Sequence, residues 1–256
     1  MVLGLLIITL ASMIAVASHR WTRLQEKIIK NVPFNLWLEF LVYPLMFYVS
    51  IYLMMRNVIN RGSIDIIALE DIDIIFIMYF FLISVYIALT LHFASKVLWG
   101  YLKKNPNTMV YRINEMFHGK LSHYLAYMNS FFFTAMIPII EMNHPLIYPL
   151  DGFLLDLVIV FAIIFGFSAC KAVFYTNEWY GGYNRPLFIV ALFLLTILIV
   201  TFRSFHLKYA YYPMSLFVHI SFTGIIVTMI VRQAMIFTRL NNKQRLRFLT
   251  KMFSAQ

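Results

Sequence analysis

Long, nearly unbroken runs of apolar residues constrain the fold of this 256-residue chain more than any other feature. Residues 187–200 form one such run. Hydrophobic residues make up 62% of the chain and charged residues only 12%, whereas a soluble domain is about half apolar and a quarter charged. A chain of this composition cannot cover its own core with polar surface, so its surplus apolar side chains must face lipid.

Backbone pairing decides which membrane architecture is available. Lipid offers no hydrogen-bond partner to a peptide group, so only helices or closed barrels cross a bilayer. Barrel strands alternate polar and apolar residues over segments of about 10 residues, and the long apolar runs do not. The sequence therefore predicts an all-α, polytopic helical bundle in a membrane, with the cell membrane as the expected one. About seven transmembrane helices are predicted, near residues 1–18, 34–55, 74–99, 123–140, 153–173, 187–202 and 214–237.

Charge in the connections between the spans predicts the orientation. The first and third connections each carry four basic residues against one acidic residue, whereas the second is mainly acidic and the fourth has no Lys or Arg. Only the sixth, with Arg203 and Lys208, departs from the alternation. The positive-inside rule then places the N-terminus outside and the C-terminus inside, which an odd number of spans satisfies. This bias explains the formal net charge of +10 without a nucleic-acid partner.

The chain divides into a transmembrane domain, residues 1–238, and a basic cytoplasmic tail, residues 239–256. The tail mixes five Lys and Arg residues with apolar ones. It is predicted either to lie on anionic lipid as a short amphipathic helix or to be an ordinary basic flank. The single cysteine, Cys170, excludes an internal disulfide and a cysteine-based metal cluster.

Four ionisable residues are predicted to lie at similar depth near the inner face: Glu39, His92, His118 and His123. Three imidazoles and a carboxylate suit zinc, copper or non-haem iron, and two histidines on facing helices suit a haem iron. The alternative is a set of uncoupled histidines at the interface. His118 and His123 are five residues apart, which is not the i, i+4 spacing of one helical face, so a bend at Gly119 is expected if they meet.

A polar stripe is predicted along the fourth span. Its members lie within roughly 60° of one another and extend over about 27 Å of helix: His123, Tyr127, Ser130, Thr134 and Glu141. Such a stripe suits a proton or ion path, because ionisable groups at membrane depth are costly unless they face protein or water. The alternative is hydrogen bonding between packed helices.

Two further polar segments of the sequence each have more than one interpretation. On the outer side, Asp156 and His219 lie a few residues inside the fifth and seventh spans. They could pair, bind a cation or an external ligand, or make a simple interhelical hydrogen bond. On the inner side, the aromatic residues and Gly-Gly pair of residues 177–186 indicate an interfacial turn, with a partner-docking loop as the alternative.

Three classes of function remain open from the sequence. The first is a non-catalytic accessory or assembly subunit, partnered by other membrane subunits. The second is a redox or metal-handling protein that binds haem or a transition metal. The third is a small proton-coupled transporter or channel. The chain has no His-Glu-x-x-His, Gly-x-Ser-x-Gly or Walker motif, which leaves an enzyme only as a fourth class, of an unrecognised type.

The predicted orientation can be measured with fusions at the C-terminus. Alkaline phosphatase acquires its disulfides only in an oxidising compartment. We therefore expect it to be inactive when fused after Gln256, and green fluorescent protein at the same place to fluoresce. Phosphatase inserted in the fourth connection, near Pro145, is the matched control and should be active. The reverse pattern would show that the orientation is inverted.

Overall fold

The computed structural model describes residues 1–20, 23, 26–30, 32–64, 66–68, 70–174 and 184–253. Helices make up 82% of it, which confirms an all-α bundle. The short strands β1 (Ile28–Ile29) and β2 (Val32–Pro33) form an antiparallel pair. The helices are α1 Val2–Arg20, α2 Phe34–Ile59, α3 Asp71–Leu102, α4 Met109–Asn143, α5 Gly152–Val173, α6 Asn184–Ser204, α7 Pro213–Thr238 and α8 Asn242–Phe253.

Six of these helices, α2 to α7, are long and apolar enough to cross a membrane. The described apolar part of α1, Val2–Ser18, is shorter, so the count of seven spans stays a prediction, as does the orientation. α4 begins at Met109, 14 residues before the predicted span. The span was predicted to start later because Arg112, Glu115 and Lys120 lower the hydropathy of the first turns of α4.

α3 and α4 run in opposite directions, since Phe81 packs on Phe132 and His92 on His123. α5 and α7 run in the same direction, since Ser221 bonds to Ala162 and Arg232 to Phe174. The bundle therefore has two ends.

The end that holds the C-termini of α3, α5 and α7 is called the basic end, because Lys103, Lys171 and Arg239 lie there. The opposite end holds the C-terminus of α4 and the N-termini of the other three helices. The positive-inside rule predicts that the basic end faces the cytoplasm.

Small residues allow two close helix crossings. A Cβ atom added to Gly166 of α5 would lie 2.6 Å from the backbone oxygen of Ser221 in α7. A Cβ atom on Gly4 of α1 would lie 3.0 Å from the backbone oxygen of Ser50 in α2, and the Ser50 hydroxyl donates to the Gly4 carbonyl at 2.7 Å. Such crossings are typical of membrane helices, which gain from close van der Waals packing rather than from burial out of water.

The remaining contacts arrange the helices around a space at the basic end. α3 packs along α4, where Phe81 stacks on Phe132 with ring centroids 5.2 Å apart. α1 contacts both α2 and α5, and α6 contacts α4 and α7. α7 also packs directly against α4, so the α3–α4 pair and the α5–α7 pair meet along that contact, and α1 and α2 complete the wall of the space.

The α5–α7 crossing predicts the effect of one methyl group. Gly166→Ala places its Cβ against backbone, which cannot move aside, so we expect a loss of about 1–3 kcal/mol from overpacking and a lower thermal midpoint in detergent. Gly100→Ala in α3 is the matched control, since a Cβ there meets nothing within 4 Å. Equal midpoints for the two variants would contradict the close crossing.

Candidate functional site

Two π-helical segments shape the site: Leu38–Val42 in α2 and Phe117–Leu121 in α4. In the second, the Ser122 N–H bonds to the Phe117 carbonyl, five residues back. This wider turn brings residues five apart onto one side of the helix. His118 and His123 therefore meet without the bend at Gly119 that the sequence led us to expect. Glu39 lies in the first π-helical segment.

The three histidines predicted to share a depth form a ring cluster. The His92 ring centroid lies 4.8 Å from that of His118 and 4.5 Å from that of His123, and the His118 and His123 centroids are 6.0 Å apart. His92 comes from α3 and the other two from α4, so the α3–α4 contact positions the cluster. Together with Glu39 these residues are called the His–Glu cluster.

His92 lies at the centre of the His–Glu cluster and contacts a polar group through each ring nitrogen. Its Nε2 lies 3.7 Å from a Glu39 carboxylate oxygen, and its Nδ1 lies 3.4 Å from the Ser122 hydroxyl oxygen. The Ser122 hydroxyl gives its proton to the His118 carbonyl at 2.8 Å, so its oxygen faces His92 as an acceptor. Both ring nitrogens of His92 thus face oxygen atoms.

The geometry does not support a metal or haem site at Glu39, His92, His118 and His123. In the described part of the chain, no group of three or more His, Cys, Asp or Glu residues is arranged to hold a metal ion. The physical reason is ring orientation: His92 and His118 stack at 28°, whereas ligands must point nitrogen lone pairs at one centre about 2.0–2.1 Å away. Two stacked rings also leave no room for a haem between them.

A cavity of about 960 Å³ lies beside the His–Glu cluster. Its walls come from α1, α2, α3, α4, α5 and α7, and its volume is that of a pocket for a drug-sized ligand. The Nε2 atom of His118 is buried and has no hydrogen-bond partner among the described residues. The single cysteine, Cys170, and three basic residues, Lys96, Lys171 and Arg232, also line this cavity. It is called the basic-end cavity.

The predicted polar stripe of α4 divides into two parts. His123, Tyr127 and Ser130 line the basic-end cavity, whereas Thr134 and Glu141 do not. The hydroxyls of Ser130 and Thr134 donate to carbonyls four residues back in their own helix, at 2.7 and 2.8 Å. These bonds satisfy the hydroxyl protons locally, and a proton or ion path along the whole stripe stays a prediction.

Glu141 makes a structural contact that the sequence analysis missed. Its fully buried carboxylate accepts a hydrogen bond from Arg61 at 2.9 Å. It also accepts from the Met214 and Ser215 backbone N–H groups, at 3.1 and 2.7 Å, and from the Ser215 hydroxyl at 3.0 Å. A carboxylate from α4 thus caps the N-terminus of α7, where free N–H groups and the helix dipole favour negative charge. This arrangement is called the Glu141 cap.

Side chains beside the Glu141 cap hold the connection between α2 and α3 by hydrogen bonds and an ion pair. The Asn143 side-chain oxygen accepts from the N–H groups of Ile66 and Ile67, at 3.1 and 2.8 Å. His144 Nε2 lies 2.9 Å from an Asp71 carboxylate oxygen. The His144 side chain is buried and paired. Its partner lies 73 residues away in the sequence, so no local pattern indicates the contact.

Asp156 and His219 have separate surroundings. Asp156 is exposed, whereas His219 is buried and its Nδ1 lies 3.0 Å from the Tyr209 hydroxyl. Burial raises the pKa of Tyr209 above its usual value, so this hydroxyl keeps its proton near neutral pH and can donate it to His219. The predicted loop 177–186 lies outside the described residues up to position 183.

The Glu141 cap predicts a large stability difference. Glu141→Ala would leave the first N–H groups of α7 without this acceptor and would leave Arg61 with only neutral acceptors, the His144 carbonyl and the Asn57 side chain, and removing one partner of a buried ion pair costs about 3–5 kcal/mol. We expect a clear drop in the thermal midpoint, and a smaller drop for Glu141→Gln, which keeps one carbonyl acceptor. Asp156→Ala, at an exposed carboxylate, is the control. A midpoint for Glu141→Ala equal to that of the control would contradict the cap.

No known protein family matches this chain, and neither a curated protein nor a solved structure is detectably similar to it. The His–Glu cluster, the basic-end cavity and the Glu141 cap are therefore interpreted from their own contacts.

Proposed function

We propose that the chain is a membrane carrier that binds its ligand in the basic-end cavity. The observation that supports this proposal is the cavity itself, about 960 Å³ between six helices, with the His–Glu cluster on its wall. Carriers hold their substrates in sites of this kind, between helices at membrane depth. Of the three functions considered from the sequence, this is the transporter, with the cell membrane as its expected location.

A carrier accounts for the two ends of the bundle better than a channel does. The basic-end cavity extends along α4 only as far as Ser130. Beyond it, Glu141 is bonded to Arg61 and to the start of α7. A channel would need a continuous polar path past this point. In a carrier, one end can stay closed while ligand is bound from the other.

The His–Glu cluster gives the site its polar contacts. His118 presents a buried Nε2 atom without a hydrogen-bond partner in the described part of the chain, and leaving such an atom unpaired costs free energy. A ligand that bonds this atom would recover that cost. Glu39 and Ser122 hold His92 from two sides, so the neighbouring ring is kept in place when a ligand enters.

The other hypotheses from the sequence have less support. The stacked rings of His92 and His118 disfavour the metal-binding or haem-binding protein. The accessory or assembly subunit of a membrane complex stays a prediction, and so do other membrane subunits and anionic lipid at α8 as partners. A carrier can also act within a larger complex, so the accessory role and the carrier role are compatible.

Native mass spectrometry of the purified protein tests ligand binding. We expect additional non-protein mass on the wild-type chain. Ala126→Phe should reduce this mass, because Ala126 lines the cavity and a phenyl ring would fill part of it. Ala94→Phe is the matched control, since Ala94 is exposed and does not line the cavity. Size-exclusion profiles of both variants establish that they fold.

Two results would overturn the carrier proposal. One is the absence of bound mass on the wild-type protein, or equal mass on both variants. The other is stepwise ionic current through the purified protein in a planar bilayer, because discrete openings are the mark of a channel.

A further inference from the structure

We propose that the ligand of the basic-end cavity is an anionic amphiphile, with a carboxylate or phosphate head beside Lys96 and the His–Glu cluster and an apolar chain pointing toward the bundle centre. This inference rests on the proposed function and adds the chemical class of the ligand. Polarity, charge and length of the cavity each support it.

Polarity changes along the cavity in one direction. On α3, Leu82 and Val85 line its inner part, and His92 and Lys96 line its basic end. α2 runs the opposite way, yet its lining shows the same order in space: Glu39 lies near the basic end, with Pro44 and Phe47 deeper. On α5, Phe165 lines the inner part of the cavity and Lys171 lines its basic end. A cavity that is polar at one end and apolar at the other matches a ligand built in the same way.

Charge at the polar end favours an anion. Among the described residues that line the cavity, three are Lys or Arg, namely Lys96, Lys171 and Arg232, and one is acidic, Glu39. The carboxylate of Glu39 already faces His92. Unbalanced positive charge at membrane depth is costly, and an anionic head that hydrogen bonds to these cations would offset that cost.

Lys96 is the cation best placed to bind such a head. The Lys171 ammonium lies over the Phe167 ring, 4.5 Å from its centroid, and Arg232 donates to the Phe174 carbonyl. Lys96 makes no hydrogen bond or ion pair with any residue that the structure describes. It lies one helical turn beyond His92 on α3, so its ammonium and the His–Glu cluster occupy the same end of the cavity.

The length of the cavity fits a single long chain. Leu82 and Lys96 are 14 residues apart on α3, which corresponds to about 21 Å of helix. A head with a chain of about a dozen carbons is shorter than this span and takes up part of the volume of about 960 Å³. A head without a chain would leave the inner part of the cavity empty.

The single cysteine provides the measurement, because Cys170 lines the cavity. The protein is placed in phosphatidylcholine nanodiscs, and the rate of Cys170 modification by N-ethylmaleimide is followed. The probes are dodecanoate, dodecyl phosphate, dodecanol, dodecyltrimethylammonium, acetate and inorganic phosphate. We expect only the two anionic amphiphiles to slow labelling, by about tenfold at about ten times their Kd, where roughly a tenth of the sites are empty.

Two substitutions test whether the anionic head group of the ligand binds beside Lys96. Lys96→Gln should weaken protection by dodecanoate about tenfold, as expected for the loss of one charge-assisted hydrogen bond. Lys103→Gln is the matched control: it removes the same charge from an exposed position at the end of the same helix, outside the cavity. Ala15→Cys in a Cys170→Ser background repeats the measurement from α1, which also lines the cavity.

The outcomes separate the ligand class from the function. Protection in phosphatidylglycerol nanodiscs without added amphiphile would identify a bilayer lipid as the source, and protection only by dodecanoate or dodecyl phosphate would identify a free amphiphile. Equal protection by dodecyltrimethylammonium or dodecanol, or equal effects of the two lysine variants, would overturn the anionic class and leave the carrier in place. If no probe protects Cys170 from labelling but the purified protein still carries bound mass, the anionic class is overturned and the carrier proposal stands. No protection and no bound mass would overturn both.

Discussion

The buried carboxylate of Glu141 is the interaction on which the arrangement of the bundle depends. It joins three parts of the chain that are far apart in sequence: Arg61 after α2, the last turns of α4, and the start of α7 at Ser215. A charge in this position is stable only because four donors surround it. Since α7 also crosses α5 at Gly166, fixing the start of α7 fixes the α5–α7 pair relative to α4.

This fixed end explains why the polar site lies at the other end. Near the Glu141 cap, Asn143 and His144 use their side chains to fasten the connection between α2 and α3. Their polar atoms are satisfied within the protein. At the basic end, by contrast, the helices surround a cavity, and His118 keeps a buried ring nitrogen without a hydrogen-bond partner in the described residues. Unsatisfied groups beside an open volume are what a ligand site requires.

Periodicity and depth predicted part of this arrangement. Apolar runs predicted the all-α bundle, and depth grouped Glu39, His92, His118 and His123, which the structure brings together. The Glu141 cap could not be predicted in this way, because its donors Arg61 and Ser215 lie 80 and 74 residues away. The prediction of the polar stripe assumed that α4 is a regular helix of 3.6 residues per turn. It therefore did not include the wider π-helical turn at His118.

The π-helical segments have a consequence for how this site could arise or be lost. A π-helical turn holds one residue more than an α-helical turn. Removing a single residue from Phe117–Leu121 would restore the regular helix and rotate everything before it by about 100° relative to the rest of α4. The exposed Met109 and Val110 and the buried Asn114, which donates to the Ser95 carbonyl, would then face other surroundings. The geometry of the site is thus set by the number of residues in α4 as much as by their identity, and a one-codon insertion or deletion would alter it where most substitutions would not.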